Sequence, residues 1–196
     1  MTMKLVCILL TLFFSSCAWA EKPAFEYAGL NIDTTEHDLR KRYAKSNFQI
    51  SSETKSYYVW VDKSEVNSGI YAIKIYRGQA YWSNGVKGVQ PVLAEFKWLN
   101  LNLEKPYELL GVKPKTWEAE HYARHPNCMS VLMDLSKKYG SPSVGDKSSE
   151  ESLEVQGYKW TSGDEDMVLN CYTLRGKGRS LAAEITLSKP VQGVSK

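Results

Sequence analysis

Apolar residues recur along the chain with two periods. Spacings of three and four mark two short helices, and period-two alternation marks the strands around them. The first helix begins at 34–38, where Thr35 serves as N-cap and Asp38, three residues on, completes a capping box. Leu39 and Tyr43 then share a face, and the helix ends near Ala44. Strands are predicted over 55–62 (KSYYVWVD), over 70–77, where Tyr71, Ile73 and Ile75 alternate with Ala72, Lys74 and Tyr76, and over 89–99. Gly78 and Asn84-Gly85 read as breaks after the second of these.

The stretch from about 100 to 126 is interrupted by Pro106, Gly111 and Pro114, with a short helix predicted over 115–124. The second clear helix covers 128–139, with Asn127 as N-cap and Gly140 as its stop. Cys128, Val131, Leu132, Leu135 and Tyr139 form its apolar face. Residues 143–152 are polar and turn-rich and read as a loop. Strands over 153–161, 167–174 and 180–188 then predict an antiparallel meander.

Leu39-x-x-x-Tyr43 is echoed by Leu135-x-x-x-Tyr139, and each is followed by a strand carrying a tryptophan, Trp60 or Trp160. The echo predicts an α+β fold of two tandem helix-plus-antiparallel-sheet repeats, with short helices packed on one sheet face. The expected division is 1–20 as a signal peptide, 21–110 as the first repeat and 111–196 as the second, together forming one compact unit. The pattern from Gly29 to Tyr43, and Leu135 to Pro142 with Gly140 inside it, resembles the helix signatures of exported bacterial proteins. These are the small outer-membrane-assembly lipoproteins and the β-lactamase-inhibitor-like group. Asp33 and Ala44 depart from the pattern. The resemblance implies a protein that works by binding other proteins, and it transfers no catalytic residue.

The N-terminus adds a compartment. Lys4, an apolar run over 5–14 and Ala18-Trp19-Ala20 make a secretory signal with cleavage after Ala20. Phe14-Ser15-Ser16-Cys17 offers an alternative, a lipobox that anchors the chain through a lipid at Cys17. Either way the expected location is periplasmic or secreted, or membrane-anchored by lipid, with no transmembrane span. Removing the signal takes away one basic residue, leaving 24 against 22 acidic ones, a balance that argues against a nucleic-acid partner. Cys128 and Cys171 are the cysteines outside the signal region, and in an exported chain they are expected to form a disulfide.

Glu118, His121 and His125 have the spacing of metal ligands on one helix face and define an alternative reading, an exported metal-dependent enzyme. Against it, His125 precedes Pro126, which pushes it out of helical geometry, and Cys128 is better used by Cys171. No metal and no cofactor are therefore expected. Asp164-Glu165-Asp166 lacks the spaced ligands of a calcium loop. The glycines between Arg175 and Arg179 precede a strand, not the helix a phosphate loop needs. Aromatic strand residues remain. Tyr58, Trp60, Tyr158, Trp160 and Tyr172 are the candidate binding residues, and large rings of this kind dominate protein interfaces. The expected function is non-catalytic binding of an envelope protein or cell-wall component, in an inhibitor, immunity or assembly-type role.

Overall fold

The computed structural model describes residues 23–62, 64–66, 69–82, 92–103, 128–150, 153–174 and 180–191. The proposed signal, with Cys17, and the cluster of Glu118, His121 and His125 lie outside these residues. So does most of the 100–126 stretch, including the helix expected over 115–124.

The chain opens with a small hairpin, β1 (Glu26–Tyr27) and β2 (Leu30–Asn31). Its two-residue turn places Ala28 at φ 50° and Gly29 at φ 74°, the left-handed pair that matches the twist of a tight hairpin. Helix α1 (Glu36–Arg42) follows. Its capping box forms as the spacing predicts: Thr35 Oγ1 accepts from the Asp38 N–H at 3.2 Å and Asp38 Oδ2 accepts from the Thr35 N–H at 2.9 Å. Strands β3 (Asn47–Ser51), β4 (Ser56–Trp60), β5 (Ala72–Trp82) and β6 (Val92–Asn102) come next. Helix α2 (Cys128–Tyr139) precedes β7 (Ser143–Val144), β8 (Ser148–Glu150), β9 (Leu153–Ser162), β10 (Glu165–Leu174) and β11 (Ser180–Pro190). Gly140, at φ 84°, ends α2 by donating its N–H to the Ser136 carbonyl at 2.9 Å.

All strands after the first hairpin join one nine-stranded antiparallel sheet in the order β3-β4-β5-β6-β11-β10-β9-β7, with β8 also on β9. This overturns the α+β expectation of tandem helix-plus-sheet repeats: the described chain is mostly antiparallel β-sheet, with two helices. Three features explain the difference. Strand β6 pairs with β11 from Phe96 to Asn102, so the strands form one sheet and not two units. The 143–152 stretch, expected as loop, supplies β7 and β8, and the unforeseen β3 adds an edge. The echoed residues are also not equivalent. Trp60 is 50% exposed while Trp160 is 4% exposed, and the buried Tyr43 hydroxyl has no hydrogen-bond partner while that of Tyr139 has two.

Gly78 likewise does not end its strand. It sits inside β5, opposite Phe96, and a Cβ there would stand 3.2 Å from the Trp98 ring. The missing side chain is the space that ring occupies, a role for strand glycine that local sequence does not announce.

One sheet face carries the core. Val59, Ile73, Leu101, Ile185 and Leu169 follow one another across the strands and are all buried. A second row runs through Ile75, Leu99, Leu187 and Met167 to Trp160. Leu39 and Tyr43 of α1 and Val131 and Leu135 of α2 join this cluster, together with Phe25, Leu30 and Ile32 from around the first hairpin. That hairpin is also tied by polar contacts. The Ala24 N–H donates to the carboxylate of buried Glu165, and Lys97 Nζ donates to the Thr34 carbonyl at 3.3 Å.

Candidate functional site

Side chains alternate along a strand, so the residues between the core rows share the opposite face. One row on that outer face runs Gln49, Tyr58, Lys74, Asn100, Thr186, Val168, Lys159. The next runs Trp60, Ala72, Asn102, Glu184, Asn170, Gly157. On the other side of the first row, Tyr76 faces Trp98.

The structure divides the predicted aromatic residues between the two faces. Tyr58, Trp60 and Tyr172 lie on the outer face. Tyr158 and Trp160 turn to the helices. Tyr158 lies opposite Leu169 and packs partly buried on the core, and Trp160 is buried opposite Met167 with its Nε1 donating to the Gly140 carbonyl at 2.8 Å. Trp160 is thus part of the core. A single surface of all five residues does not exist.

The outer face has further components beyond those five residues. Tyr76 and Trp98 stack at 5.0 Å between ring centroids, and Phe96 continues the stack at 5.6 Å from Trp98. Lys74 Nζ lies 4.9 Å from the Tyr58 ring and 4.5 Å from that of Tyr76, so two aromatic faces hold one ammonium group. Beside it runs a polar chain with one direction. Asn102 Nδ2 donates to Asn100 Oδ1 at 3.1 Å, Asn100 Nδ2 to Thr186 Oγ1 at 3.1 Å, and Thr186 Oγ1 to Glu184 Oε1 at 3.3 Å. Glu184 also bonds to Tyr172. Burial pushes the Tyr172 phenol up from its ordinary value, and the Glu184 charge pushes it further the same way. The signal for Lys74 and Tyr76 was present in the 70–77 alternation, which sets them on one side with Ala72. Trp98 and Glu184 carry no local mark, because their neighbours come from other strands.

Chemically, this face offers a fixed cation, a carboxylate, amides, hydroxyls and ring edges. The stacked rings cover one another's faces, so Trp98 is not a free platform. Of the three histidines, His37 alone lies among the described residues, exposed in the first turn of α1. Among the described residues no group of three or more His, Cys, Asp or Glu side chains is placed to hold a metal ion. Also among the described residues, no helix is long and apolar enough to cross a membrane. Cys128, at the start of α2, and Cys171, on β10, stand at disulfide distance with Cα atoms 5.7 Å apart. They join helix to sheet on the core side, which leaves Tyr172 on the outer side.

The chain matches no known family. Comparison with curated proteins and with solved structures likewise finds no match.

Proposed function

We propose that this is an exported cell-envelope protein that acts without catalysis, by binding an envelope protein or a cell-wall component through the outer sheet face. The observation that carries the reading is the half-exposed Trp60, beside Tyr58 and the aromatic-held Lys74, on a face that also presents the Glu184 network. Interface anchors are typically large rings set among pre-positioned polar groups, because such groups lose little freedom on binding. The role belongs to the inhibitor, immunity or assembly type. Export rests on the signal-like first twenty residues, with lipid attachment at Cys17 as the alternative to a free periplasmic or secreted form. The helix-signature resemblance points to binding as well.

The test is photocrosslinking in the native envelope with a photoreactive residue at position 60 or, on α2, at position 133. Met133 is 69% exposed and lies away from the outer face, so it serves as the control. Adducts to one partner from position 60 alone, lost on Tyr172→Ala without a change in melting temperature, support the reading. Equal labelling from both positions, or none from position 60, rejects it.

A further inference from the structure

The nine-stranded sheet has two ends, and they are finished differently. At the β9 end the edge is broken into β7, of two residues, and β8, of three, with Gly145, Asp146 and Lys147 between them. Short, interrupted edge strands of this kind resist pairing with another chain. The β3 end has none of these devices. Asn47-Phe48-Gln49-Ile50-Ser51 contains no charge and no proline, pairs among the described residues with β4 alone, and leaves Ile50 57% exposed.

We propose that two copies of the chain join through their β3 edges, antiparallel about Gln49, into one continuous sheet. The sequence of the edge is complementary to itself in that register. A two-fold axis through Gln49 sets Asn47 opposite Ser51 and Phe48 opposite Ile50. Just beyond the strand, it sets the exposed Lys45 of one copy toward the exposed Glu53 of the other. Among the described residues neither of these charges is used in an ion pair within the chain. The axis stands normal to the sheet, so the two core-side faces remain on one side. Phe48, with the Arg40 guanidinium 4.5 Å from its ring, therefore meets the partner copy's exposed Ile50. Branched and aromatic residues opposed in this way stabilise antiparallel pairs. On the outer side, Tyr58 lies next to Gln49, so the outer faces of the two copies become adjacent.

A five-residue edge is short against the roughly 1,200 Å² that stable interfaces bury, so the association is weak and depends on concentration. Sedimentation velocity on the complete exported chain reads it. The expected result is a shift from monomer to dimer as concentration rises through the micromolar range. Ile50→Lys weakens association about tenfold and leaves the melting temperature unchanged, because charge at an edge opposes pairing and Ile50 is exposed. Lys45→Glu and Glu53→Lys each weaken it, and the double swap restores it. Under mild oxidation Gln49→Cys cross-links to itself, while Asn47→Cys does not. A chain that stays monomeric at millimolar concentration overturns the proposal. So does a dimer indifferent to Ile50→Lys, or one in which Asn47→Cys cross-links in place of Gln49→Cys.

Discussion

The Tyr139 hydroxyl holds both backbone groups of Glu26: it accepts from the Glu26 N–H at 2.8 Å and donates to the Glu26 carbonyl at 2.8 Å. The last residue of α2 thereby completes the pairing of β1, across 113 residues of sequence. Phe25 packs edge-on against the same ring, with centroids 5.2 Å apart.

Removing that hydroxyl should release the hairpin while keeping the ring. Tyr139→Phe is expected to cost about 1 kcal/mol, since the part-buried Glu26 N–H loses its partner and the Glu26 carbonyl keeps only Lys138 Nζ, at 3.4 Å. Amide exchange over residues 24–31 is expected to accelerate more than exchange in β10. Uniform acceleration across the sheet would show that the contact supports the whole fold and not the hairpin.

Cys128 and Cys171 close a span of 43 residues that contains all of α2, the short edge strands and β9. Replacing both with alanine is expected to lower unfolding free energy by up to about 4 kcal/mol, from the added freedom of the unfolded chain. Denaturant midpoints of the oxidised parent and the double variant measure this. Equal midpoints would mean that the bond contributes nothing.

The two strand tryptophans should behave oppositely. Trp160→Ala empties a core position and removes the Nε1 bond to Gly140, at an expected cost of about 3–5 kcal/mol. Trp60→Ala, on the half-exposed site, is expected to change stability by less than about 1 kcal/mol. Paired thermal melts decide the matter, and similar losses in both variants would contradict the assignment of faces.

Glu165 predicts a pH dependence. It is 3% exposed, one carboxylate oxygen accepts from Ala24 and the other has no partner. Burial pushes its carboxyl above the ordinary glutamate range. The Ala24 bond and Lys189 oppose the shift, and Asp33 and Asp164 add to it. A raised folded value means that the folded chain takes up the proton more readily. This group therefore lowers stability as pH climbs from the ordinary glutamate range through the folded value, and the penalty is complete above it. Glu165→Gln is expected to be more stable than the parent near neutral pH, with the advantage fading in acid. Urea midpoints across that range check the sign. An advantage that grows in acid would refute it.

Local chemistry was enough for some features. The α1 capping box, the glycine stop of α2 and the existence of β4, β5 and β9–β11 all follow from spacing along one segment. Such features depend on neighbours a few residues away, and a single sequence contains them. The rest depended on residues brought together from distant segments. Alternation shows that Tyr158 and Trp160 share a face, and that Tyr58 and Trp60 do. It does not show which face meets the helices, because that is set by pairing with the next strand. Across β9 and β10 the pairing puts Trp160 opposite Met167, and across β4 and β5 it puts Trp60 opposite Ala72. Gly78 looked like a break until Trp98, from the paired strand, occupied its space. Likewise β3 is a strand because β4 lies beside it, and the single sheet exists because β6 meets β11. A strand's partner, register and covered face are free energies of contact between remote segments, and only the folded chain assigns them.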